Sequence, residues 1–219
     1  LAWTMNNMWS QYRYSMDKQM LRDKIYPLLR RSINLYLHMI ETGDDRKLHL
    51  PPTYSPETGV FADANFDLAL LKWGCHTLLK TCTLLGIDDP LVPRWKEVVT
   101  NLPDFSFDER GFRIGSNQTS KDEHRHFSNL LLIYPLYLVN IEQEGTADVL
   151  ARSYDRAHNT GGLHAMVQTH AGPIGTAIGQ GDQALEGLKR LQSDLHPNGT
   201  WSCGGNPCLE SSLAVANNI

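Results

Sequence analysis

The sequence predicts an all-α fold assembled from helical hairpins, and three observations carry that expectation. Apolar residues recur at helical spacing through most of the 219 residues. Glycine, proline and aspartate fall between the periodic stretches at hairpin-sized intervals, where they start and stop helices. No stretch alternates with period two for long enough to build a sizeable sheet. Hairpins of this kind stack as a solenoid, pack as a bundle or close into a toroid, and no constant sequence period supports the solenoid.

The first helix spans Leu1 to Ser15, with Trp3, Met5, Met8, Trp9, Tyr12 and Tyr14 as its apolar or aromatic positions. Asp17 then caps a second helix running to about Ile40. A proline-bearing loop, Pro51-Pro52-Thr53-Tyr54-Ser55-Pro56-Glu57, leads to a long helix from Asn65 to Leu85 that Gly86 terminates. Its partner runs from Pro90 to Leu102, started by Asp88-Asp89-Pro90 and stopped by Pro103. Asp104 to Glu123 is a polar connection with room for a short strand at Gly111-Phe112-Arg113-Ile114. Helices follow at about Phe127 to Val139, Ala147 to Asn159, Leu163 to Gln180 and Asp182 to Leu195, and a glycine-rich loop precedes a last helix after Pro207.

A net charge of −4 with both signs mixed along the chain leaves no basic footprint, so nucleic acid is not an expected partner. The longest apolar run, Leu130 to Val139, is short and broken by Pro135; it reads as buried core, and no membrane partner is expected. The chain begins and ends inside helical patterns without a start methionine or signal peptide, which reads as a piece of a longer protein whose remainder is its natural partner. Cys75 and Cys82 are expected as buried thiols. Cys203 and Cys208 flank Gly204-Gly205 and either pair in an oxidising compartment or stay free. Neither pair has zinc-site spacing, and no metal or cofactor is expected.

Two lone carboxylates stand in unusual settings. Glu57 and Glu210 each follow a proline-bearing loop beside apolar or aromatic residues, where desolvation raises a carboxyl pKa. A pair of carboxylates across a cleft is the minimum equipment for hydrolysing a glycosidic bond. The alternative is that each occupies the first turn of a helix, where the dipole favours it. His124 and His126 have a spacing that suits a metal, a helix cap or a ligand contact. Asn65 and Asp67 open the helix after the Glu57 loop, as ligand-binding or Glu57-orienting groups or as caps.

Trp9-Ser10-Gln11-Tyr12-Arg13-Tyr14-Ser15-Met16-Asp17-Lys18, Tyr26-Pro27-Leu28, Ser55-Pro56-Glu57, and His124-Arg125-His126-Phe127-Ser128-Asn129-Leu130 with Tyr134-Pro135 occur in that order. This arrangement resembles the catalytic domain of glycoside hydrolase family 95, over nearly the whole chain. The resemblance implies an (α/α)6 toroid of six helical hairpins, of which residues 1–219 would be part of a single domain lacking its N-terminal hairpins and its C-terminal end. It implies an inverting glycosidase acting on α-L-fucosides or α-L-galactosides within oligosaccharide or polysaccharide substrates, and hence secreted or periplasmic.

Carried onto this sequence, the family's general acid falls on Glu57 and its general base, an aspartate in the family, on Glu210. His124, Arg125 and His126 match a motif that lines the sugar site. Tyr54, Asn65, Asp67, Trp201 and Asn206 are further expected contacts to substrate or to the catalytic pair. Inversion requires the two carboxyl groups to lie about 6.5–9.5 Å apart, to leave room for water. Two features depart from the family: no segment corresponds to the asparagines that activate the base, and Ala165 to His170 lacks both tryptophans of the matching family segment. The rival expectations are a carbohydrate-binding toroid without chemistry and a helical-toroid polysaccharide lyase, in which Tyr54 would serve beside a histidine.

Overall fold

The computed structural model describes residues 1–56, 58–119, 126–160, 165–192, 195–203 and 206–208, with the backbone alone at 158–160, 165–169, 190–191, 201–203 and 206–208. The described residues are mostly helical, and the strands among them occur as four separate antiparallel pairs.

Helix α1 (Ala2–Ser15) ends where Met16 turns left-handed and its N–H bonds the Tyr12 carbonyl. Asp17 caps the following α2 (Lys18–Met20), its carboxylate accepting from the Gln19 and Met20 amides. The helix expected to run unbroken to Ile40 contains a π turn (Leu21–Ile25) before α3 (Tyr26–Met39). Pro27 gives the reason. A proline ring inside a helix collides with the carbonyl four residues back and offers no N–H, and a wider turn ahead of it relieves both problems. The wide turn also helps keep the row Leu21, Ile25, Leu29 and Ile33, all fully buried, on one face.

Helix α4 (Asn65–Leu85) has the expected bounds, closed by Gly86 in the left-handed conformation. Its consecutive residues Asp67, Leu68, Ala69, Leu70 and Leu71 are all buried, so its first turns are enclosed on every side, whereas His76, Lys80 and Thr83 further along face solvent. Gly74 lets α3 cross close by, because a side chain there would run into Ile33. Helix α5 (Val92–Asn101) returns along α4 with Trp95 fully buried. Asp89 fixes the corner. Its carboxylate accepts from Tyr26 Oη, from Arg30 Nε at 2.6 Å and from the Leu91 amide at 2.8 Å. Burial pushes the Asp89 carboxyl up, but the bonds from Arg30 and Tyr26 outweigh it and hold the group below its ordinary range.

The expected strand at 111–114 is the second of a hairpin, β5 (Phe107–Asp108) with β6 (Gly111–Phe112). The helix expected over Phe127 to Val139 is not formed. Only a 3-10 turn (Ser128–Leu130) and a run of further turns occupy the segment, with Phe127 and Tyr137 left-handed at φ 48° and 50°. Pro135 supplies no N–H and disfavours helical geometry at Tyr134, so the carbonyls of Leu130 to Ile133 are taken up by irregular bonds such as Leu138 N–H to Leu132 O at 2.8 Å. The run is core all the same, with Leu130 to Ile133 and Leu136 buried.

Helix α6 (Ala147–Thr160) packs on β6, followed by α7 (Ala165–Ala177) and its antiparallel neighbour α8 (Gly181–Leu191). A final strand pair, β7 (Trp201–Cys203) and β8 (Asn206–Cys208), sets Cys203 opposite Asn206 and Cys208 opposite Trp201, so the two cysteines are not facing partners in the ladder. The helix expected after Pro207 lies outside the described residues. Cys75 and Cys82 are free and buried, and burial pushes the Cys75 thiol up to about 12. No described helix is long and apolar enough to cross a membrane.

Gly111 is the least yielding of these junctions, because it meets backbone. At φ +109° it is in a region that side chains avoid, and a Cβ there would sit 2.6 Å from the Ser153 Cα and amide nitrogen of α6. Both are backbone atoms that cannot swing aside. Gly111→Ala should lower stability by about 1–3 kcal/mol, read as a reduced urea midpoint at unchanged slope; an unchanged midpoint would contradict the packing described.

Candidate functional site

Ser55 of the Ser-Pro-Glu motif ends β3 (Thr53–Ser55), which pairs with β4 (Gly59–Phe61) as a short hairpin in the register Thr53 to Phe61, Tyr54 to Val60 and Ser55 to Gly59. The Thr58 amide bonds the Ser55 carbonyl at 3.1 Å and closes the tip. Strand alternation sends Thr53 and Ser55 inward and leaves Tyr54 65% exposed. Thr53 Oγ1 donates to Asp67 at 2.6 Å, and Ser55 Oγ lies 2.8 Å from Ser128 Oγ.

Asp67 and Asn65 support this hairpin from the start of α4. Asp67, 6% exposed, accepts from Thr53 and from the Tyr36 hydroxyl at 2.7 Å, and so joins α3, β3 and α4. Burial raises its carboxyl pKa against the lowering effect of those two bonds, and raises the Tyr36 hydroxyl as well. Asn65 is fully buried. Its amide donates to the Ser106 and Arg113 carbonyls at 2.9 and 2.8 Å, and its oxygen accepts from the Ser106 amide at 3.0 Å. Neither residue caps the helix, because Ala64 holds that position and the Asn65 amide is satisfied by the Ile114 carbonyl. Asn65 is thus committed to holding the 106–113 connection against α4.

The root of the hairpin is clamped by His49, at the end of β2 (Leu48–His49), which pairs with β1 (Glu41–Thr42). Its Nδ1 is 2.7 Å from Asp63 and its Nε2 is 3.0 Å from Asp45, while Asp63 also accepts from the Leu50 amide at 2.8 Å. The hydrogen bond to Asp63, then that to Asp45, raises the imidazole pKa. The carboxylates occupy opposite ring nitrogens, so they do not converge on an ion. Among the described residues no group of three or more His, Cys, Asp or Glu could hold a metal.

A groove of about 940 Å³ opens between α1, the 126–137 segment and α7. His126 and His170 both line it, with Phe127 between them in edge contact with the His170 ring at 6.5 Å. Trp3, Trp73 and Tyr134 supply aromatic wall, and Asn7, Ser10 and Arg13 supply hydrogen-bonding groups. The sequence reading places His126 at a sugar site, treats Trp3 as an ordinary helix position and does not single out Trp73. A signal for Trp3 exists in α1, where Ala2, Met5, Trp9 and Tyr12 are the buried row and Trp3, Asn7, Ser10 and Tyr14 form a second row mixing aromatic with polar side chains. A row that needed only burial would not carry that mixture.

Glu57, His124, Arg125 and Glu210 lie outside the described residues, and with them the expected separation of the carboxyl pair. Trp201 and Asn206 are placed by backbone alone, on β7 and β8.

A histidine whose pKa is raised in the fold binds its proton more tightly folded than unfolded. The stability this contributes is complete below the unfolded value of about 6.5 and is lost as pH rises through the higher folded value. His49→Gln should therefore depress the melting temperature most at about pH 5.5–6, with the gap from the native protein closing by about pH 9. A gap that widens with pH would contradict the clamp.

The family model of the glycosyl hydrolase family 95 catalytic domain matches residues 1–199. The match takes in the Ser55-Pro56-Glu57 hairpin, the histidine motif and every groove residue named above, and stops short of Trp201, Asn206 and Glu210. Alpha-L-fucosidase 2 of Arabidopsis thaliana is 27% identical over 156 residues, which is 65% of this chain and 18% of that protein. Probable alpha-fucosidase A of Aspergillus niger is 28% identical over 158 residues, 64% of this chain and 19% of that protein. The chain thus spans about a fifth of the length of these curated relatives. With the family model covering most of its length, the chain belongs to the glycosyl hydrolase family 95 catalytic domain.

Proposed function

We propose that the protein containing this chain hydrolyses an α-L-fucoside-like glycosidic bond with inversion, and that Glu57 is its general acid and Glu210 its general base. The observation that carries the reading is the family match through the Ser55-Pro56-Glu57 hairpin, together with the fucosidase names of both relatives. The hairpins belong in this reading to one (α/α)6 toroidal domain, working outside the cytoplasm on oligosaccharide or polysaccharide.

Protonated Glu57 gives its proton to the leaving glycosidic oxygen. Ionised Glu210 takes a proton from a water attacking the opposite face of the anomeric carbon. The two groups therefore need different proton affinities. The described groove suits the sugar: aromatic rings beside histidine, asparagine and serine give apolar faces flanked by hydrogen-bonding groups. His126, with His124 and Arg125, contacts the sugar, and Asp67 holds the acid hairpin. Tyr54, Trp201 and Asn206 border the site. One observation favours a second reading, a sugar-binding domain that has lost the chemistry: Ala165 to His170 lacks the two tryptophans of the matching family segment.

The leaving group separates the two roles. On a fucosyl disaccharide, Glu57→Gln and Glu210→Gln should each lower kcat by about 10²–10⁴-fold. On an aryl fucoside whose phenolate leaves without protonation, Glu57→Gln should recover most of its loss and Glu210→Gln should not. Equal losses on both substrates would reject the assignment of roles, and native protein that binds fucosides without turnover would establish the second reading.

A further inference from the structure

We propose that the Ser55–Ser128 hydroxyl pair fixes the register between the acid hairpin and the histidine segment, making both serines positioning residues for the reaction. The inference rests on reading residue 57 as the acid. Ser55 is the last residue of β3, two positions ahead of Glu57, and Ser128 opens the 3-10 turn two positions after His126. They are far apart in sequence, yet their Oγ atoms lie 2.8 Å apart, and both side chains are buried. A serine hydroxyl is one bond beyond Cβ, so a hydrogen bond between two of them sets the distance between their backbones far more closely than long side chains would.

The surroundings make the pair a register pin. Thr53, on the same inner face of β3, is held by Asp67, so the strand is fixed at both ends, from α4 at one and from the histidine segment at the other. On the opposite side, Phe127 in its left-handed conformation turns the chain between His126 and Ser128, and Asn129 donates to the Phe112 carbonyl at 2.7 Å. Ser128 thus sits between a groove-lining histidine and an anchored asparagine. Movement of either segment along the other would stretch the hydroxyl pair first.

Stability and turnover respond differently to removal of such a pin. A single Ser→Ala leaves the other hydroxyl buried without its partner, whereas removing both relieves that penalty. In the parent protein, Ser55→Ala and Ser128→Ala should each lower kcat by about ten- to a hundredfold with KM little changed. The double variant should recover the melting temperature lost by the singles but not their kcat. Native kcat in either single variant, or kcat recovering with stability in the double, would overturn the proposal. Amide exchange provides a readout that does not need turnover: Ser128→Ala should speed exchange across 53–61 and Ser55→Ala across 128–133. Absence of this reciprocal effect overturns the inference even if the protein proves to be no hydrolase, while reciprocal exchange in a protein without turnover sustains the pin and rejects only the proposed reaction.

Discussion

A helix whose first turns are enclosed on every side must have the polar groups at its N-terminal end satisfied by protein, and the start of α4 does so in a way that places the rest. Water is not available there to Asn65 and Asp67, and an unpaired buried polar group costs about 1–3 kcal/mol. Asn65 therefore binds the 106–113 connection, and Asp67 binds α3 through Tyr36 and β3 through Thr53. One buried helix end thus determines where the β3–β4 hairpin stands, with its inward hydroxyls anchored and Tyr54 left to solvent.

The same economy governs the C-terminal end of α4, at the corner into α5. Asp89 compensates its own burial with Arg30 and Tyr26 from α3, and at the same time bonds the amide of Leu91, which opens α5. The buried carboxylates at the two ends of α4 tie it to α3, β3 and α5, while the groove is walled by α1, α7 and the irregular 126–137 segment. Helices α1, α4 and α7 supply part of the groove lining, with Trp3, Asn7, Ser10 and Arg13 on α1, Trp73 on α4 and His170 on α7, and the irregular segment supplies His126, Phe127 and Tyr134.

Local chemistry made the helices legible. Asp17 caps, Gly86 stops and the apolar spacing of α4 fills in what lies between, so those bounds could be read from neighbours in sequence. The segment from Phe127 to Val139 could not, because its apolar content is as compatible with helix as with buried turns, and only the conflict between Pro135 and the surrounding core decides. The π turn before Pro27 was hidden for the same reason. In the site, the family motifs pointed to His126, yet nothing local announces that Asp67 meets Tyr36 and Thr53, or that Ser55 meets Ser128. Those contacts join residues far apart in sequence, and the strand alternation shows only that Thr53 and Ser55 share a face.

In the proposed reaction a two-carboxylate site delivers water to the face opposite the leaving group. Proton NMR of the sugar released in the first turnovers of an α-L-fucoside by the parent protein tests it directly, before the free sugar mutarotates. Inversion predicts β-L-fucose as the initial product. Initial release of α-L-fucose would mean retention, and would contradict a mechanism in which Glu210 acts as base rather than as nucleophile.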